Sequence, residues 1–137
     1  MLKIGEIRDI IIELGVKIGL EEESELFPMF TEQGRVFSDG NSVYVTETEY
    51  HYVVMERGKV NEYYRGEHLD DILYPVFNDI TFTLAMEYEI EHRKNDVDSR
   101  KERWRKQLEL LEAIDIKFAE TRRKEIEEIL KKYPFRK

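Results

Sequence analysis

Apolar residues in this chain recur first at a helical period, then at every second position, then at the helical period again. Ile7, Ile10, Ile11, Leu14 and Ile18 keep the i, i+3, i+4, i+7, i+11 spacing that lines one side of a helix, which predicts an amphipathic helix over residues 3–18. Gly19 and the run Glu21, Glu22, Glu23, Glu25 interrupt it. The following Leu26-Phe27-Pro28-Met29-Phe30 has turn chemistry at Pro28 but too many large apolar groups for a solvated loop, so it is expected to pack back onto the core.

From Arg35 to Arg65 alternation takes over. Val43 and Val45 alternate with Tyr44 and Thr46; His51, Val53 and Met55 with Tyr52, Val54 and Glu56; Val60, Glu62 and Tyr64 with Asn61 and Tyr63. This reads as three strands rich in β-branched and aromatic residues. Asp39-Gly40 and Arg57-Gly58 supply residue types that accept positive φ in tight turns, so hairpins should join the strands. The expectation is an antiparallel meander, with a fourth strand near Val36 and a cover over one face.

Leu69, Ile72, Leu73, Val76, Phe77, Ile80, Leu84 and Tyr88 then form an apolar stripe that predicts a helix over residues 69–93. Asp70 and Asp71 sit where carboxylates favour a helix N-terminus, and Pro75 falls about one turn inside, where a missing N–H costs little. After Asn95, Asp96 and Val97, the pair Ser99 and Glu102 has the spacing of a capping box, with Trp104, Leu108 and Leu111 marking one face of the next helix. Asp115 is placed to cap a last helix whose face is Phe118, Ala119, Arg122, Ile126, Ile129 and Tyr133, stopped by Pro134. The predicted class is α+β: an N-terminal helix, a three- to four-stranded antiparallel β-meander, then a long helix and two further C-terminal helices packed on the sheet. No repeat or linker divides the chain, and 137 residues suffice for one core, so a single domain over 1–137 is expected.

Charge adds information that the pattern lacks. Residues 1–90 carry 19 Asp and Glu against 7 Lys and Arg, a net of −12, whereas residues 91–137 carry 15 basic against 11 acidic residues, a net of +4. A sign split of this size concerns what the surface meets more than how the core packs, and it points to a basic partner. There is no cysteine, so no disulfide, thiolate metal site or Cys nucleophile is available, which suits a reducing cytoplasmic setting. Ile10-Ile11-Ile12 is bracketed by Glu6, Asp9 and Glu13, so it reads as neither a signal peptide nor a membrane span.

The candidate chemistry is sparse. Glu89-x-x-His92 has the i, i+3 spacing of metal ligands in di-iron bundles, but no second copy exists, and an exposed charged helix end is the simpler reading. His51, His68 and His92 lack any nucleophile elbow or H-E-x-x-H helix nearby and read as structural or solvent-facing. Asp70 and Asp71 diverge by about 100° on a helix and do not converge on one substrate. No catalytic residue, metal or cofactor is therefore expected. The run Arg100, Lys101, Arg103, Arg105, Lys106 around Trp104 could hold a phosphate backbone, but Glu102 and Glu109 interleave with it and Trp104 falls on the apolar face. Tyr44, Tyr50, Tyr52, Tyr63 and Tyr64, among Glu47, Glu49, Glu56 and Glu62, exceed what one covered sheet face requires. They read either as a partner-binding surface or as tyrosines suited to half-exposed strands.

The order of motifs is itself informative. Tyr50-His51-Tyr52-Val53-Val54-Met55-Glu56-Arg57-Gly58, Leu69-Asp70-Asp71-Ile72-Leu73-Tyr74, the run from Ile80 to Glu89, Asp98-Ser99-Arg100, Lys106 to Leu111, Arg122 to Leu130 and the closing Tyr133-Pro134-Phe135 together resemble the immunity protein 63 family, predicted antidotes of bacterial polymorphic toxin systems. The resemblance covers residues 50–135 well and the N-terminal third loosely. It implies a small cytoplasmic protein that is no enzyme and that binds and blocks one cognate toxin domain; the net charge of −8 argues against nucleic acid or membrane as partner. A basic nuclease is the expected kind of toxin, since an acidic plug suits a cationic groove. Glu47, Glu49, Glu56, Glu62, Tyr63 and Tyr64 are the expected contact residues. Glu56-Arg57, Glu87 and Asp98-Ser99-Arg100 read by default as turn, cap and buried ion-pair devices. The alternative is a small nucleic-acid-binding regulator using the basic helices after residue 99, which predicts salt-sensitive retention on DNA. No oligomeric state follows from the sequence.

Overall fold

The computed structural model describes residues 1–32 and 39–136. They form an N-terminal helix, a four-stranded, mainly antiparallel sheet and three further helices, an α+β arrangement. The chain divides into two compact units, Met1–Val76 and Phe77–Lys137.

In the first unit, helix α1 (Ile4–Lys17) buries Ile7 and Ile11 completely, as its spacing predicts. Gly15 lies on the same face because a Cβ there would strike the ring of Phe27, so glycine lets the Leu26–Phe30 segment fold back against the helix. That segment leads into β1 (Met29–Phe30), which pairs with β2 (Gly40–Val45) in parallel, Met29 opposite Ser42 and Phe30 opposite Val43. The strand beside β2 is thus this short parallel piece, held by the packing of Phe27; the strand expected near Val36 lies outside the described residues.

Strands β3 (Tyr50–Glu56) and β4 (Lys59–Gly66) complete the order β1-β2-β3-β4. A two-residue turn joins them. Arg57 (φ 52°) and Gly58 (φ 74°) both adopt the left-handed conformation that matches the twist of a hairpin. The Asp39 carboxylate caps this turn, accepting from the N–H groups of Arg57 and Gly58 at 2.9 Å each, and Gly40 takes the positive φ expected of it (116°); the chain before Asp39 lies outside the described residues. Val54 pairs with Glu62 but Met55 with Val60, so Asn61 is an extra residue at a β-bulge. One sheet face carries the buried Val43, Tyr50, Tyr52 and Val54, and with Ile7, Ile11, Ile72, Leu73 and Val76 these supply the unit's apolar interior. Tyr50 adds a polar tie, its hydroxyl accepting from the Leu2 N–H at 3.0 Å.

Helix α2 (Asp70–Glu91) contains the boundary between the units. In the second unit it is followed by α3 (Ser99–Ile114) and α4 (Ile116–Lys132), joined by Asp115 alone. Asp115 caps α4 as predicted, accepting from the Lys117 N–H at 2.9 Å. The start of α3 differs from the capping-box reading: Asp98 is the N-cap, accepting from the Arg100 N–H, while Glu102 turns to Arg105. A carboxylate one residue upstream thus takes the role assigned to Ser99, with charge to oppose the helix dipole. Trp104, Leu111, Ile114, Phe118, Ala119 and Ile126 are buried, and so is Gln107, which no apolar pattern reveals.

Candidate functional site

Alternation puts Tyr44 on β2, His51 on β3 and Tyr63 on β4 on the sheet face opposite Val43 and Tyr52. Their rings form a continuous stack. Tyr44 and His51 lie 4.4 Å apart and are nearly parallel, and His51 and Tyr63 are 5.8 Å apart. Hydrogen bonds give the stack a direction. Thr46 Oγ1 donates to the Glu49 carbonyl, so it accepts from His51 Nε2 at 3.3 Å; that leaves Nδ1 to accept from the Tyr63 hydroxyl at 2.8 Å. Tyr44 then donates to Tyr63 at 3.3 Å.

Burial holds the His51 imidazole below its ordinary pKa; the charge of Glu49 opposes this and that of Arg65 adds to it. Desolvation, aided by the hydrogen bond with Tyr63, pushes Tyr44 up to about 12. Both shifts preserve the neutral hydrogen-bonded form at physiological pH. The outer tyrosine of the stack, Tyr63, is 47 % exposed, so its ring is displayed while its hydroxyl is fixed.

The six predicted contact residues fall in three places. Glu47 and Glu49 belong to the β2–β3 turn, which Thr46 closes by accepting from the Glu49 N–H at 3.1 Å. Glu56 lies at the other end of β3, about 20 Å away at the usual rise per residue. Glu62, Tyr63 and Tyr64 share β4, but Glu62 and Tyr64 point to the Val43 face, where the Tyr64 hydroxyl donates to Glu62 at 2.8 Å and its ring stacks on Tyr52. Tyr63 points to the other face. Tyr44 and His51, absent from the predicted set, are brought to Tyr63; aligning the strands by their alternation would have revealed that neighbourhood.

Both ends of β3 that carry these residues lie in a segment matched by a family model. The family model of immunity protein 63 matches residues 46–128, more than half of the chain. This chain belongs to the immunity protein 63 family. Searches of curated proteins and of solved structures returned no match. The matched stretch of this immunity protein 63 chain begins at the β2–β3 turn and takes in β3, β4, α2, α3 and much of α4.

The other charged candidates are engaged within the protein. Arg100 pairs with Asp98 and donates to the carbonyls of Tyr133 and Pro134. Arg105 binds Glu102 and Glu109, Lys106 binds Glu109, and Arg103 lies 3.8 Å from Glu89. Lys101 sits over the Phe135 ring, itself tilted against the buried Trp104. The basic run of this immunity protein 63 chain is therefore largely neutralised by its neighbours.

Glu89 departs from the reading as an exposed helix end. Its side chain is only 3 % exposed and accepts two hydrogen bonds from Arg93, which hold its carboxyl below the ordinary range. Its i+3 neighbour His92 instead stacks on Tyr88 and is exposed. Among the described residues no group of three or more His, Cys, Asp or Glu is placed to hold a metal ion, and no helix is long and apolar enough to cross a membrane.

Proposed function

We propose that this immunity protein binds and neutralises a cognate bacterial toxin domain by occluding it, acting in the cytoplasm as one immunity-protein-like domain over residues 1–137 without catalysis of its own. The observation that carries the reading is an asymmetry of charge. The basic residues of α3 are largely engaged in internal contacts, whereas Glu47 and Glu56, at opposite ends of β3, are exposed with no cation at ion-pair distance among the described residues, and a displayed, hydrogen-bonded Tyr63 lies between them. A rigid aromatic with an acidic rim suits a basic partner, such as a nuclease with a cationic groove: carboxylates steer the encounter and tyrosines supply contact area at small entropic cost.

The test is recovery of the partner and measurement of its binding. The tagged chain is purified from its native host, the co-purifying toxin domain is identified, and association rates are compared for the natural chain and a Glu47→Lys, Glu49→Lys, Glu62→Lys variant. The variant should associate about tenfold or more slowly at low salt, with a flattened salt dependence. Unchanged rate and salt dependence would refute this placement of the surface.

A further inference from the structure

Strand β4 ends the sheet order, and among the described residues no strand pairs with its outer side. Eight residues long, it is exposed on both faces, with Val60 58 %, Tyr63 47 % and Tyr64 37 % accessible. Natural edges are blunted by charge, proline, bulges or shortness. Here Lys59 and the bulge at Asn61 blunt the beginning, and Glu62–Gly66 carries the charges of Glu62 and Arg65 but runs in regular register with neither bulge nor proline.

Hairpin geometry says which backbone groups are open. A two-residue turn is closed by a hydrogen-bonded pair, here Glu56 and Lys59, and pairs alternate from there. Counting past the extra Asn61 directs the N–H and C=O of Glu62 and Tyr64 toward β3, and those of Tyr63 and Arg65 toward the empty edge. The flanking side chains are already fixed: Tyr63 by His51 on one face, and Tyr64 by Glu62 and by stacking 6.1 Å from Tyr52 on the other. An occupant of this edge therefore meets ordered groups and loses little further entropy on their account.

We propose that the toxin binds by adding an extended, basic segment of its own to the outer edge of β4. This rests on the functional reading above and names its mode. Main-chain hydrogen bonds to Tyr63 and Arg65 would supply affinity, and alternate side chains of the added strand would pack on Tyr63 on one face and Tyr64 on the other. A basic character follows from the charge of the surrounding region, 19 acidic against 7 basic residues over 1–90, since along the edge itself Lys59 and Arg65 balance Glu62 and Glu67. Strand addition would also bring Glu62, Tyr63 and Tyr64 against one partner although they point to opposite faces, because all three border one edge.

Residue-resolved amide hydrogen exchange on the full chain, free and bound to the toxin domain recovered above, tests this. Tyr63 and Arg65 amides should exchange freely in the unbound protein and slow by about a hundredfold or more in the complex, while Tyr64 is slow in both. A complex that leaves Tyr63 and Arg65 unprotected overturns the proposal. So does slowing that appears when the chain alone is concentrated and its sedimenting mass doubles, which would assign the edge to a second copy. If no partner is recovered, the functional reading fails first and strand addition with it. In parallel, Tyr63→Pro removes the outward N–H and Tyr63→Phe keeps it; with the sheet verified by circular dichroism, only the proline variant should lose about tenfold or more in affinity. Equal affinities would also overturn strand addition.

Discussion

Replacing Gln107 by leucine should destabilise the second unit by about 3 kcal/mol, a figure that follows from its bonds. Gln107 is fully buried on α3. Its Nε2 reaches the Asn78 carbonyl at 3.0 Å, Asn78 Oδ1 at 2.9 Å and Thr81 Oγ1 at 3.3 Å, and its Oε1 accepts from Arg122 Nε at 3.1 Å. One amide therefore ties α3 to both α2 and α4. Two amide protons make about two neutral bonds at roughly 1 kcal/mol each, and the charge-assisted bond from Arg122 adds about 2. Leucine, close in volume, recovers about 1 kcal/mol through roughly 40 Å² of additional buried apolar surface. The net loss corresponds to a Tm decrease of about 10 °C for a chain of this size. Urea titration followed by Trp104 fluorescence reads this unit directly, since Trp104 is the sole tryptophan. Far-ultraviolet circular dichroism reports both units and shows whether they unfold together. A double-mutant cycle with Arg122→Met should give a coupling of about 1–2 kcal/mol. A loss below about 0.5 kcal/mol, no more than an exposed substitution costs, would refute the assigned role.

Three further outcomes are expected. Tyr44 keeps its proton up to about 12 in the folded protein, whereas an unfolded tyrosine releases it near ~10. The unfolded state thus binds fewer protons between those values, so the urea midpoint should fall as pH rises from about 10, and Tyr44→Phe should flatten that decline. At the acid end, hydrogen bonds from Arg100 hold the Asp98 carboxyl far below its ordinary range. The stability it contributes is present above the unfolded pKa near ~4 and is lost as pH falls below it, so Asp98→Asn should flatten the acid limb of the Trp104 unfolding curve. Asp39→Ala removes both acceptors of the β3–β4 turn and should cost about 1–2 kcal/mol by chemical denaturation, with little change in m-value.

The helices were legible because each buries a stripe at a 3.6-residue period, and the observed ends fall within two residues of the predicted ones for α1 and α2. The turn at Arg57-Gly58 was legible because few residue types tolerate positive φ in succession. Less visible were devices that depend on a distant partner. Asp39 reads as a local turn residue, and its second role, capping a turn 18 residues on, becomes visible only when that turn is placed beside it. Asp98 outcompetes Ser99 through the guanidinium of Arg100 and the Arg136 N–H, the latter far along the chain. Gln107 and Glu89 are polar letters on a helix, and periodicity assigns such letters to solvent; their burial follows from Asn78, Arg122, Arg93 and Arg103 converging on them. The candidate surface was legible as a composition of tyrosine and glutamate. Its division between two faces and two ends of β3 depends on strand register, which the bulge at Asn61 also sets.

The two-residue turn between β3 and β4 has a consequence for the order in which the sheet assembles. Closing so short a loop costs little chain entropy, and isolated hairpins of this kind form in roughly 1–10 μs. The parallel pairing of β1 with β2 joins residues 13 apart, Met29 and Ser42, and its two-residue strand offers few bonds in return. Assembly is therefore expected to begin at the β4 side and finish at β1. The edge proposed for the toxin would then be shaped early by local contacts, before the N-terminal helix has docked.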